Sequence, residues 1–127
     1  MVTFTHRQRE YLSGARLGRL ATVGRDGQPH VVPTGFILNE ADDTIAVGGH
    51  ALEKTKKFRD ARDQARIALV VDDIVSTTPW RVRGIEIRGR AEVHLQGGET
   101  LRPGFDGAWI RIVPTHIAAW GFDGDDR

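Results

Sequence analysis

Read as apolar and polar positions, the chain resolves into about six short strands and one conspicuous helix. The clearest strand lies at 85–95. There Ile85, Ile87, Ala91, Val93 and Leu95 are apolar, Glu86, Arg88, Arg90, Glu92 and His94 are polar, and only Gly89 interrupts. A period of two with one apolar face predicts a strand with one side in the core. An earlier strand at 17–23 runs into Asp26-Gly27 and returns at 30–38. Asp-Gly between two such runs predicts a type I′ hairpin turn, with positive φ at both central residues. Pro33 has no N–H for the ladder, which puts it at an edge or a bulge, and Gly35 adds a second irregularity. A polar turn at 40–43 leads into a strand at 44–48. The run at 66–71 is apolar throughout and predicts a strand buried on both faces. Residues 72–79, polar and closed by Pro79, predict a loop. A last main strand at 109–113 extends past Pro114 to 116–120.

Two helices complete the pattern. Thr5 followed by Gln8 fits a capping box and starts a short helix that ends at Gly14. A second helix is predicted at about 52–65, with a thin apolar stripe of Leu52, Phe58, Ala61 and Ala65. Short strands in a mostly antiparallel pattern favour a closed or nearly closed barrel, which removes exposed edges.

Composition narrows the functional classes. At 127 residues the chain reads as a single domain over 1–127. A net charge of +1 gives no global attraction to nucleic acid or membrane, so any basic site is local. With no cysteine, disulfides, thiolate metal sites and Cys nucleophiles are excluded. The N-terminal residues form no apolar signal and no stretch spans a bilayer, so a cytoplasmic protein is expected. The histidines lack metal-ligand spacing, so no metal is expected. Neither the hydrolase Gly-x-Ser-x-Gly nor a Rossmann or P-loop glycine motif is present, and no catalytic side chain is nominated.

The stretch that carries candidate chemistry is 44–59. A strand runs into Gly48, Gly49 and His50 and then into a helix bearing Lys54, Lys56, Lys57 and Arg59. Unpaired N–H groups at a helix start, close-approaching glycine backbone and nearby cations suit a phosphate. The same charges, with Glu53, Asp60 and Asp63 among them, also suit a solvated helix face. Trp80, Trp109 and Trp120 read as core or interface aromatics, or as walls for a planar ring. Arg81 and Arg83 flank the 72–79 loop, where an anionic tail could rest.

The order of these motifs resembles a known family. The stretch from Leu20 to Pro33 looks like the opening hairpin of the pyridoxamine 5′-phosphate oxidase-like split β-barrels. The stretch from Lys57 to Val71 looks like their lysine-bearing helix and following strand, and that from Trp80 to Glu92 like their long central strand. The short members that use the deazaflavin coenzyme F420 look most similar. The resemblance implies a homodimeric, mainly β split barrel with one or two short helices and two cofactor sites at the dimer interface. It implies an F420-dependent oxidoreductase that reduces an unsaturated planar small molecule; an FMN-dependent oxidase or reductase, or a non-enzymatic flavin- or haem-binding module, are the alternatives. Carried over, Lys57 takes the place of the phosphate-binding lysine, with Lys56, Gly49 and His50 beside it. Val32, Pro33 and Thr34 match the strand along the tricyclic ring. Trp80, Arg81 and Trp120 match positions that build the partner or substrate side. The chain departs from the pattern at Arg59-Asp60-Ala61, where the family helix often reads Arg-Asn-Leu, and at Gln64-Ala65, where it often reads Asp-Pro. Asp60 thereby places a negative charge near the phosphate.

Overall fold

A computed structural model describes residues 2–122. Seven strands form one sheet: β1 (Leu17–Val23), β2 (Pro29–Gly35), β3 (Ile37–Asn39), β4 (Thr44–Val47), β5 (Arg66–Thr77), β6 (Trp80–His94) and β7 (Trp109–Trp120). Their order is β2-β1-β5-β6-β7-β4-β3, and every ladder is antiparallel. The two edge strands, β2 and β3, are consecutive in the chain with Phe36 alone between them. At about 3.8 Å per residue, that step brings opposite edges of the sheet together, so the sheet must curl. The result is a half-barrel, as expected of a split barrel. The single return strand expected at 30–38 is therefore two strands on opposite edges, with Gly35 and Phe36 at the corner. Pro33 lies on edge strand β2, where its missing N–H leaves no ladder bond unmade.

The interior is filled by Leu20, Ile45, Val47, Leu69, Ile85, Ile87, Ile110 and Ile112, closed off by Leu12 and Phe58 from the two helices. On β5 only Ile67, Leu69 and Val71 are buried, while Ala68 and Val70 are partly exposed. The expectation of burial on both faces fails because a curled sheet has one inside and one outside. On β6 Ile85 and Ile87 are fully buried and Ala91 and Val93 partly so, but Leu95 lies beyond the strand and is 63% exposed. The irregularities at Gly89 and Pro114 are one feature. The ladder slips between Arg88 and Gly89, Gly89 faces Pro114, and a Cβ on Gly89 would sit 2.3 Å from the Val113 carbonyl oxygen. The bulge bends β6 and β7 together and keeps β7 continuous where two pieces were expected.

The largest departure is at 72–79. The expected loop is strand: β5 continues to Thr77 and pairs with β6 from Trp80, leaving only Thr78 and Pro79 in the turn. Asp72 and Asp73 look like loop residues in sequence, yet Asp72 pairs with Arg19 and Asp73 with Arg83 across the sheet. The hairpin at Asp26-Gly27 is present, but its turn differs. Gly27 has φ +83 and Asp26 stays at negative φ, Gly27 N–H donates to Gly24 O (3.0 Å), and Gly24 N–H donates to Gln28 O (3.1 Å). This is a three-residue loop with a glycine bulge rather than type I′.

Helix α1 (His6–Gly14) has the expected capping box: Gln8 N–H donates to Thr5 Oγ1 and Thr5 N–H to Gln8 Oε1. The predicted 52–65 helix is interrupted. Residues Leu52–Lys54 form a 3₁₀ turn, and α2 (Lys56–Asp63) starts afresh with Thr55 as its cap. No helix of the described residues is long and apolar enough to cross a membrane.

Candidate functional site

The site builds from β4. Its four residues are buried, and the chain leaves the barrel at Gly48, over which the Phe105 ring packs so closely that a Cβ would lie 2.6 Å away. The Gly49-His50-Ala51 turn is then held by Asp106: Asp106 N–H donates to Gly49 O (2.9 Å) and Ala51 N–H to the Asp106 carboxylate (2.6 Å). Ala51 sits in the left-handed region at φ +56, a conformation that costs a β-carbon residue about 1–2 kcal/mol. The His50 ring is exposed, 3.5 Å from the same carboxylate. One N–H of the expected cradle is therefore already taken, and the 3₁₀ turn separates the glycines from the lysines.

Lys56 and Lys57 occupy the first turn of α2, which has no acidic residue. Two cations at the positive end of a helix dipole leave that end suited to an anion. The neighbours are treated differently. Lys56 Nζ donates to Asp60 Oδ1 (3.0 Å), one helical turn on, and Asp60 Oδ2 accepts from the buried Thr22 hydroxyl (2.9 Å). Asp60 is 5% exposed. Burial alone would raise its pKa, but the bonds from Lys56 and Thr22 outweigh it and hold the carboxyl below its ordinary value. Lys57 is half-buried, has no hydrogen-bond or ion-pair partner among the described residues, and burial pushes its pKa down. The negative charge at Asp60 thus neutralises Lys56 and leaves Lys57 as the uncommitted cation. His30, opposite Thr22 on β2, completes this corner with a buried Nδ1 that has no partner.

Edge strand β2 leads away from the corner. Val32, Pro33 and Thr34 face Leu20, Arg19 and Gly18 of β1, and Gly35 faces Leu17. Leu17 lines a cleft of about 720 Å³ between α1 and the outer ends of β5 and β6, and Arg81 lines it too. Trp80 is at the tip of the β5–β6 ribbon and 65% exposed, while Trp120 lies across Gly84, where a Cβ would be 2.7 Å from its ring. The sequence-nominated residues therefore do not form one cluster: Lys56 lies with Asp60 and Thr22 opposite His30 of β2, Trp80 and Arg81 are on the ribbon, and Trp120 lies against Gly84. Lys54 and His50 line a separate, smaller pocket with Asp106, and Arg59 bonds to the Lys54 carbonyl.

Sequence reasoning missed the anchors. The Lys56–Asp60 pair was visible as an i, i+4 spacing. The contacts of Asp106 with Ala51 and of Tyr11 with Asp73 join residues 55 and 62 apart and leave no local signal. Among the described residues no three His, Asp or Glu side chains gather as metal ligands.

The carboxylates make a prediction of their own. Asp42 is held below the ordinary value of 3.8 by Thr44 and Arg111, Asp43 by Arg9, and Asp73 by Arg83 and Tyr11, with Asp60 as described. A folded pKa below the unfolded one gives stability that is complete above the unfolded value and lost as pH falls through the folded one. Melting temperature should be insensitive to these groups above about pH 5 and fall below about pH 4. A melting curve unchanged down to pH 3 would contradict the bonding assigned to them.

Comparison with known proteins follows the same outline. A family profile described as pyridoxamine 5′-phosphate oxidase matches residues 4–121. A 5a,11a-dehydrotetracycline/5a,11a-dehydrooxytetracycline reductase from Streptomyces rimosus is 40% identical over 122 residues, covering 96% of this chain and 86% of the relative. Among solved structures, a conserved hypothetical protein of Mycobacterium tuberculosis superposes with TM-score 0.74 at 19% identity, covering 95% of this chain and 86% of that one. An FAD-binding protein of Mesorhizobium loti gives TM-score 0.68 at 22% identity, covering 93% and 95%.

Proposed function

The chain belongs to the pyridoxamine 5′-phosphate oxidase family, and from that premise we propose that it is an F420-dependent reductase acting on an unsaturated planar small molecule. The family and the 40% identical reductase support an oxidoreductase. The observation that carries the cofactor reading is Lys57, a half-buried ammonium without an acceptor at the start of α2. A phosphate supplies what that cation lacks, and the orphaned His30 Nδ1, opposite Thr22 and so on the Lys56–Asp60 side of α2, suits a polar ligand.

In this reading Lys57 holds the cofactor phosphate, and Val32, Pro33 and Thr34 run beside the ring system. From His30 to Gly35 is five residues of strand, about 16 Å at 3.3 Å per residue, a span for an elongated ligand with its anionic group at the lysine end. When bound, the deazaflavin supplies hydride chemistry, and the protein supplies position and electrostatics. A second copy of the chain is part of the proposal. Trp80, Ile74 and Val75 on the ribbon and Leu17 and Val31 on β1 and β2 are large exposed apolar side chains, which suit an interface that brings one copy's ribbon to the other's lysine corner. Gly49, His50 and Lys56 then frame the phosphate end, and Arg81 and Trp120 the substrate side.

The test is a titration of the protein with F420 and, separately, FMN, followed by fluorescence polarisation. F420 should bind at least about tenfold more tightly than FMN. Affinity should weaken as pH rises, from below the ordinary lysine value of 10.5, because binding favours the protonated form of Lys57. Preference for FMN would replace the deazaflavin reading with the flavin one. Binding of neither would end both.

A further inference from the structure

We propose that the cleft between α1 and the β5–β6 ribbon binds a planar organic monoanion, with its acid group on Arg16 and Arg81 and its ring against Tyr11 and Phe122. Four arginines and three carboxylates line this cleft, but they are not equally available. Asp72 is paired with Arg19. Asp73 accepts from Arg83 Nε (2.8 Å) and from the Tyr11 hydroxyl (2.7 Å), so one carboxylate closes a three-residue network. Arg16 and Arg81 have no hydrogen-bond or ion-pair partner among the described residues. Glu10, 3.5 Å from His6, is the remaining acid and opposes a second negative charge on the ligand. Counted over the described residues, four arginines against three carboxylates give the lining one net positive charge, which favours a monoanion over a dianion.

The aromatic part is equally specific. Phe122 meets the Tyr11 ring edge to face at 5.0 Å and 80°, and the Arg83 guanidinium lies 5.0 Å from the same ring's centroid. Tyr11 is thereby fixed in orientation, and Val71 and Leu17 continue the apolar lining beside it. A volume of about 720 Å³ is that of a multi-ring organic molecule rather than an inorganic ion. A guanidinium without a partner suits a carboxylate or enolate through charge-assisted bonds, and Arg16 and Arg81 each line the cleft. Identifying this ligand as the substrate rests on the function proposed above. The anion preference rests on the cleft alone.

The probe is 3-hydroxy-2-naphthoate, an anion at neutral pH, compared with 2-naphthol, which has the same ring system and is neutral there. Binding is followed by probe fluorescence in the wild type, Arg16→Gln, Arg81→Gln and the double variant. The naphthoate should bind at least about tenfold more tightly than the naphthol, and added salt should weaken only the former. Each arginine variant should lose about five- to tenfold in naphthoate affinity with naphthol unchanged. Equal affinities for the two probes in the wild type, or an unaffected double variant, would overturn the proposal. Because the wild-type comparison needs no variant, a misfolded substitution leaves the test decisive. F420 binding is read separately, so failure of the cofactor reading and failure of this one are distinct results.

Discussion

Replacing Asp43 with alanine should destabilise the fold by about 3 kcal/mol, two effects acting together. Asp43 is 4% exposed and sits at the turn before β4, where its carboxylate accepts the Phe4 N–H (3.1 Å) and two bonds from Arg9 (2.9 and 2.8 Å). The Phe4 amide is buried with its side chain, so removing the acceptor orphans it at a cost of about 1–3 kcal/mol. Asp43 also has φ +56, where alanine is strained by about 1–2 kcal/mol. The two parts separate by substitution. Asp43→Gly relieves the backbone but leaves the orphan, and Asp43→Asn tolerates the left-handed conformation and keeps one acceptor oxygen. Denaturant melts should rank stability as wild type, asparagine, glycine, alanine. An alanine variant as stable as the wild type would show that Asp43 does not anchor the N-terminal segment to the barrel.

That anchor shows where sequence reading reaches and where it stops. The pairing of β1 with β2, the α1 capping box and the buried odd positions Ile85 and Ile87 are local signals, carried by residues within a few positions of each other, and they emerge as read, the hairpin's turn type and the length of its return strand excepted. The ribbon beyond Val71 does not. Its aspartates are neutralised by Arg19 and Arg83, one of which is 53 residues away, and without those partners Asp72-Asp73 reads as a solvated turn. Asp43 is hidden for the same reason: its partner Arg9 is 34 positions off, and in sequence it is one acid in a polar turn. The lysine helix falls between these cases. Its cations are plain in the sequence, and so is the i, i+4 acid. Which of two adjacent lysines that acid neutralises depends on Thr22, reached only through the packing of α2 against β1.

The adjacent lysines should therefore give opposite results when each is changed to methionine. In Lys56→Met, Asp60 is left buried with its ammonium partner gone and, among the described residues, Thr22 as the remaining side-chain donor. An uncompensated buried carboxylate costs about 3–5 kcal/mol. The Lys56 side chain is 44% exposed, so solvent already screens part of the pairing, and a loss of about 2 kcal/mol is expected. The Asp60 pKa should rise toward or above its ordinary value, so Asp60 should drop out of the acid loss of stability and that loss should become shallower. Lys57→Met removes a cation that burial already disfavours and that has no partner to orphan. Its melting temperature should be unchanged or slightly higher. Its affinity for a phosphate-bearing cofactor should fall at least about tenfold, the worth of one charge-assisted hydrogen bond. Thermal melts and cofactor titrations on the two variants read both quantities. If Lys57→Met binds F420 as the wild type does while Lys56→Met loses it without loss of stability, the roles are reversed. Asp60 would then have to release Lys56 when the anion arrives.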